Sequence, residues 1–290
     1  MRLGNLETMK IYNLIAKLWA ISPELIRRFY YLVSGDKTLA SIFIPNKYEV
    51  VKIQTGIGKG KKLRLNLRNE RGYFLGTHEW DTQKMLLKLL FKGATVYNIG
   101  AHIGFYAVGL SQLVGPVGKI IAFEPNPEVY QRLRENISIN KLLNVTAYES
   151  AVGDFDGMAS FSISLSDTQG RFSHLPYVKD GPVIQVPCKR IDTFIKEGGP
   201  VPNFMMIDVE HAEGSVFRGM VGTLTRHKPI ILVELHGPAA INESWDILNR
   251  CDYKLARISN LTVVNKDDIS YGQYLAAHES FVKNEKCVLP

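Results

Sequence analysis

The chain has 290 residues, of which 46% are hydrophobic and 22% charged, a globular composition that excludes disordered and fibrous classes. Three scattered cysteines, Cys188, Cys251 and Cys287, lack metal-ligand spacing, which argues against a disulfide framework or a zinc site and points to a reducing cytoplasm. The net charge of +7 is uneven, because residues 1–92 hold 17 Lys and Arg against 7 Asp and Glu, whereas residues 93–290 hold 18 against 21.

In chain order, Ile11, Leu14, Ile15, Leu18 and Trp19 recur at helical spacing, and Ser22-Pro23-Glu24 opens a second apolar run that ends at Gly35. Two short helices are predicted there. Residues 49–67 alternate around Gly56, Gly58 and Gly60 and predict a β-hairpin. From about residue 80 the pattern becomes strand, turn, helix. Strands are expected at Thr95–Asn98, Lys119–Glu124, Asn144–Ala151, Phe204–Val209 and Pro229–Leu235, with helices near 104–114, 127–140, 213–224 and 242–250. Such alternation predicts an α/β fold with a doubly wound, mostly parallel sheet. Residues 1–92 are then a small basic appendage of helices and hairpin that covers the core, and 93–290 the main α/β domain. Between strand-like 158–164 and 183–188, the polar stretch Ser166–Pro182 is either a lid over the site or a surface loop. No uninterrupted apolar run reaches the roughly 18 residues of a membrane span, and no signal-peptide pattern opens the chain, so neither insertion nor secretion is expected.

Ligands of such sheets bind beyond the carboxyl ends of the strands. The first end, Asn98-Ile99-Gly100-Ala101-His102-Ile103-Gly104, is a glycine turn that opens a helix, where backbone and ligand can meet closely. Its spacing departs from the G-x-G-x-x-G of dinucleotide enzymes. The second end puts Glu124 after the next strand, positioned to accept hydrogen bonds from a ribose diol. The alternative role for Glu124 is a cap on the helix that begins at Pro127.

Residues 70–236 resemble the FkbM family of S-adenosylmethionine-dependent methyltransferases, which mostly methylate hydroxyl oxygens. The resemblance rests on the Gly100 turn, Phe123-Glu124-Pro125-Asn126-Pro127, Ser150-Ala151-Val152-Gly153-Asp154, Arg190-Ile191-Asp192-Thr193-Phe194, Ile207-Asp208-Val209-Glu210 with Glu213, and Pro229-Ile230-Ile231-Leu232-Val233-Glu234. It implies a class I methyltransferase (Rossmann-like) fold and S-adenosylmethionine as cofactor. It also implies Glu124 on the ribose, Ser150 and Ala151 beside the adenine, Asp208 and Glu210 facing the reacting methyl, and Glu79 near the cofactor. Asn98, Gly100, His102 and Gly104 complete the expected cofactor shell. Three positions depart from the family pattern: Asn98 replaces Asp, Met206 replaces Lys, and His211 replaces Gly.

A hydroxyl acceptor needs a base. Asp208, Glu210, His211, Glu234 and His236 all fall at strand ends, and the expectation is Asp208 as base, Glu210 beside it and His211 as helper. Helix-capping and salt-bridge roles are the alternative for the two acids, and an exposed helix start is the alternative for His211. No ligand spacing demands a metal. The expected acceptor is a sugar, glycolipid or natural product. The basic segment 1–35 is either a solvated surface or a peripheral contact with an anionic membrane. Nucleic acid is not the expected acceptor, since no Asn/Asp-Pro-Pro-aromatic motif and no aromatic-interleaved basic groove occur. A descendant that binds cofactor without turnover and a nucleic-acid methyltransferase remain the alternatives, and nothing in the residues bears on oligomeric state.

Overall fold

The computed structural model describes residues 46–163, 170–172, 182–284 and 287–288. The two predicted N-terminal helices and most of the expected lid lie outside the described residues.

Five central strands, β3 (Thr95–Ile99), β4 (Lys119–Phe123), β5 (Val145–Tyr148), β10 (Phe204–Ile207) and β11 (Ile230–Leu235), pair in parallel. They sit in a seven-stranded sheet of order β12-β13-β11-β10-β3-β4-β5, where β12 (Tyr253–Arg257) and β13 (Gly272–His278) form an antiparallel extension. Chain order reverses between β3 and β10, so the crevice beyond their carboxyl ends is the topological switch point of the sheet.

The central strands are almost wholly apolar because both faces are covered. On one face Val96, Ile120, Phe204 and Leu232 pack with Phe105, Val108 and Leu110 of α3 (Phe105–Val114) and Leu133 of α4 (Pro127–Ile139). On the other, Tyr97, Ile121, Ile207 and Val233 meet Phe217 of α6 (Glu213–Arg218), Leu224 of α7 (Val221–His227) and Leu248 of α8 (Gly237–Arg250). The doubly wound architecture expected from the strand and helix pattern is thus the observed one.

The hairpin of β1 (Tyr48–Lys52) and β2 (Lys62–Asn66) forms as predicted and packs on the core. Leu63 and Leu65 are fully buried in the cluster that holds β3 and β4, each contributing about 1.5–3 kcal/mol by burial. Its free edge is covered by α4: Asn140 Oδ1 accepts from Lys62 N–H at 2.8 Å and Asn136 Oδ1 from Arg64 N–H at 2.7 Å. Asn136 also donates to the Ile103 carbonyl at 2.8 Å, which ties hairpin, α4 and glycine turn together. Two helices that the sequence reading did not contain, α1 (Arg71–Leu75) and α2 (Trp80–Leu89), connect the hairpin to β3.

Other boundaries differ for physical reasons. The single helix expected at 213–224 is two, α6 and α7, broken where Gly219 lies so close to Gly153 that a Cβ would come 1.9 Å from its carbonyl oxygen. The strand expected to run to Ala151 stops at Tyr148, and β6 (Ala151–Val152) joins a second, four-stranded sheet with β7 (Gly157–Ile163), β8 (Gly170–Phe172) and β9 (Val183–Lys189). That switch of sheets turns residues 149–150 over the end of the main sheet. No described helix is long and apolar enough to cross a membrane.

Candidate active site

A cavity of about 400 Å³ opens at the switch point, a size suited to a small-molecule site. Its wall takes Gly100, Ala101 and His102 from the end of β3, Glu124 from β4, Ser150 and Ala151 from the turn after β5, Asp208 and Glu210 from β10, and Glu234 and His236 from β11. Glu79, just before α2, and Tyr271, just before β13, close the opposite side.

The glycine turn has a different cause at each end. Gly100 has φ +81°, and a Cβ there would sit 1.7 Å from the Asp208 carbonyl oxygen, so the ends of β3 and β10 touch through backbone alone. At Gly104 the close neighbour is Leu133 of α4, and this residue serves helix packing, not the cavity wall.

Glu124 is buried, with Oε2 accepting the His102 N–H and Oε1 the Asn126 N–H, both at 2.9 Å. Burial pushes its pKa up to about 7, against the lowering effect of the two backbone donors. Helix α4 has its own cap, because Asn126 Oδ1 accepts from Glu128 and Val129 N–H. Glu124 is therefore not spent on capping, and the remaining lone pairs of its carboxyl group suit the two hydroxyls of a ribose. Next to it, Pro125, Ala151, Val152 and Phe161 form an apolar wall.

At the other end an imidazole gathers acids. His236 Nδ1 lies 2.6 Å from Oε1 of Glu213, which is wholly buried, while His236 Nε2 lies 3.7 Å from Glu234, 3.8 Å from Glu210 and 3.9 Å from Asp208. Burial would lower the His236 pKa, but the hydrogen bond to Glu213 and the acids around it raise it to about 9. Burial, with the charges of Glu234 and Glu79, pushes the Asp208 carboxyl well above its usual range, while His236 pulls it back. Glu234 is held by Tyr271 Oη at 2.7 Å and Gln273 Nε2 at 3.2 Å. Burial of Glu79 is outweighed by hydrogen bonds from His78 and Tyr106, the latter at 2.8 Å, so its pKa is lowered. Asp208, Glu234 and His236 bring three ligand-capable atoms within 4.8 Å, but a protonated imidazole competes there with any divalent ion.

Strained backbone concentrates here. Of eight described non-glycine residues with positive φ, four belong to the site region: Glu79, His102, Glu210 and His211. Such residues are costly and persist where the surroundings hold them in place. Burial, with the charges of Arg132 and His78, lowers the His102 pKa to about 4, so this ring is neutral and lies near Tyr73 Oη.

Besides Gly104, two expected residues lie elsewhere. His211 turns Nδ1 onto the carbonyl of His236 at 3.0 Å and is not part of the wall, so the histidine facing the cavity is His236. Asn98 is 2% exposed, also off the wall, and its Nδ2 has no hydrogen-bond partner among the described residues. Tyr271 and Gln273 were missed because the chain after residue 250 carries no motif. Glu213 was visible only as part of the Asp208 to Glu213 motif.

The sequence pattern of the methyltransferase FkbM domain matches residues 98–255, more than half of the chain. The chain belongs to the FkbM methyltransferase family. As a member it is a methyltransferase, with S-adenosylmethionine as cofactor. Among characterised proteins, this methyltransferase is 26% identical over 191 residues to the hexuronic acid methyltransferase AglP of Haloferax volcanii, covering 66% of this chain and 74% of that protein. It is 28% identical over 167 residues to the 2-O-methyltransferase NoeI of Sinorhizobium fredii, covering 52% of this chain and 67% of that one. Among solved structures, an FkbM methyltransferase from Methylobacillus flagellatus superposes with a TM-score of 0.47 at 16% identity, covering 90% of this chain and 60% of that one.

Proposed function

We propose that the protein transfers a methyl group from S-adenosylmethionine to a hydroxyl of a sugar or glycoconjugate, with Glu124 on the cofactor ribose and Asp208 as the base. The observation that carries this reading is the polarity of the cavity, with a ribose-type acid and an apolar wall at one end and three carboxylates facing an imidazole at the other. The residues fit the cofactor. Glu124 would take the diol, Ala151 and Val152 would border the adenine, and Asp208, Glu210 and Glu234 would face the cationic end.

The bound cofactor supplies an electrophilic methyl group on a sulfonium, and the chain's own task is to align an oxygen with it and remove its proton. Asp208 suits that task because burial and its acidic neighbours make its carboxylate a stronger base than an exposed one. His236, fixed by Glu213, supplies the countercharge that keeps these acids together in a small volume. His78, Tyr73 and Phe105, with ring centroids 4.5–5.8 Å apart, close the side of the cavity next to Glu79 and help exclude water. A sugar acceptor agrees with the relatives, one named for hexuronic acid and one for 2-O-methylation.

The test is formation of S-adenosylhomocysteine from S-adenosylmethionine across a panel of hexuronic acids, neutral sugars and their glycolipids. Turnover on at least one sugar, lost in Asp208→Asn with cofactor binding retained, is expected. Binding without turnover on every acceptor would leave only the cofactor-binding half of the reading.

A further inference from the structure

The site occupies the carboxyl edge of the parallel strands. The opposite edge, about 15 Å away along strands of this length, has a different character. There the loops leading into β3, β4, β5 and β10 lie side by side, tied by Lys119 N–H to the Ala94 carbonyl at 3.0 Å, Ile120 N–H to Asn144 at 2.8 Å and Asn203 N–H to Thr95 at 2.9 Å. Each loop carries an outward apolar side chain: Phe91 is 57% exposed, Val117 77%, Leu143 100% and Val201 44%. Leu87, one helical turn before Phe91, adds a fifth at 57%. None of the five belongs to the hydrophobic clusters of the described residues.

Around these four loops the exposed charge is predominantly positive, the acids of this edge being Glu197, which pairs with Lys189, and Asp252 and Glu279 at the β12–β13 end. No Asp or Glu occurs at 82–123, 136–148, 198–207 or 219–233, the stretches that contain these loops, whereas Lys88, Lys92, Lys119 and Lys141 do and are exposed. Helix ends favour cations, and Lys92 Nζ does cap the Gln112 carbonyl at 3.1 Å, but capping does not account for the apolar tips between the lysines. Apolar residues projecting among lysines is the pattern of a surface that enters the headgroup layer of a bilayer, apolar tips inserted and lysines on anionic lipid. Residues 1–45 hold six Lys and Arg against three Asp and Glu, a charge of the same sign as these loops.

We propose that this edge docks the protein on an anionic lipid bilayer, with Phe91, Val117 and Leu143 as the inserting side chains and Lys88, Lys92, Lys119 and Lys141 contacting headgroups. The proposal is independent of the reaction at the opposite edge.

The test is co-sedimentation of the full chain with phosphatidylcholine vesicles, with and without about 30% phosphatidylglycerol, at low and at about 0.5 M salt. Association with the anionic vesicles alone, weakened by salt, is expected. The pair Val117→Asp with Leu143→Asp, and separately Lys88→Glu with Lys119→Glu, should each reduce the bound fraction at least tenfold with the melting midpoint unchanged. If the aspartate pair fails to fold, Val117→Ser with Leu143→Ser replaces it. Wild-type binding to neutral vesicles as strong as to anionic ones, or loop variants that bind like the wild type, would overturn the proposal. So would a wild-type chain that ignores vesicles but forms a dimer that Leu143→Asp splits, which would assign the edge to a second copy.

Discussion

Glu213 Oε1 lies 2.6 Å from His236 Nδ1, and that contact decides which nitrogen of the imidazole faces the cavity. A buried carboxylate only accepts, so Nδ1 carries hydrogen and Nε2 is turned toward Asp208, Glu210 and Glu234. His236→Gln is expected to lower turnover by roughly 10² or more while changing the dissociation constant of S-adenosylhomocysteine by only a few fold. Glu213→Gln keeps the shape but weakens the hold on the proton, so the His236 pKa should fall from about 9. The corresponding limb of the pH–rate profile should move to lower pH. A profile identical to wild type would make the contact purely structural.

The Glu124 pKa of about 7, against an ordinary value of 4.5, has two consequences with definite sign. Between those values the folded chain holds a proton that the unfolded chain releases, so stability falls as pH rises through this window, by roughly 3 kcal/mol at most. Ribose hydroxyls donate to the ionised form, so cofactor binding should release the proton and S-adenosylhomocysteine should bind more tightly as pH rises, levelling above about 7. Glu124→Gln should flatten both dependences. Calorimetric titration at several pH values checks the second, and a wild-type affinity that is flat from about pH 5.5 to 8 would remove Glu124 from the ribose role.

Gly100→Ala and Gly60→Ala separate two kinds of glycine. Both positions have left-handed φ, +81° and +87°, so the intrinsic penalty of about 1–2 kcal/mol is common to them. A Cβ at 60 meets only Lys52 Cε at 3.8 Å, whereas at 100 it collides with the Asp208 carbonyl. Urea unfolding should show Gly100→Ala destabilised by at least about 2 kcal/mol more than Gly60→Ala, or unable to fold. Equal losses would mean the β3–β10 contact yields easily.

Asn98→Asp should weaken S-adenosylmethionine binding. The neutral Asn at a place where the family has Asp first reads as a lost charge, and on that basis restoring Asp would help. Glu79, Asp208, Glu210 and Glu234 already line the cavity, however, and Asn98 is buried with an unpartnered Nδ2. A carboxylate there adds desolvation and repulsion, which costs about 1 kcal/mol or more of stability and affinity. Calorimetry on both variants decides the sign, and tighter binding by Asp would show that the existing acids leave the sulfonium under-compensated.

The parts of the site that could be read from the sequence are those written into short segments. Gly100, Glu124, Ser150, Ala151 and Asp208 lie at or just beyond the expected strand ends, and all five line the cavity. The choice between His211 and His236 was not legible, because it depends on the positive φ of His211 and on Gly237, whose bare Cα sits against that ring. Tyr271 and Gln273 were hidden because β12 and β13 are an antiparallel extension outside the strand–turn–helix pattern, and their role toward Glu234 arises from contacts across 37 and 39 residues of chain. The α6–α7 break was equally invisible, since its cause is a contact with Gly153 more than sixty residues earlier.

Because the Asp208 carbonyl fills the space beside Gly100, the two strand ends at the centre of the crevice have no slack with which to part. Any opening that admits cofactor or acceptor must be hinged at the flanks. At those flanks lie the segment carrying Glu79 before α2 and the segment carrying Tyr271 before β13, both lining the cavity. Thr82 of α2 and Gln273 of β13 share a hydrogen bond at 2.5 Å, and Gln273 also holds Glu234, so the two flanks are latched to each other and to the acid cluster. An opening at those flanks would break the Thr82–Gln273 hydrogen bond and leave the β3–β10 floor intact, so Thr82→Ala is expected to change product release before it alters the chemistry.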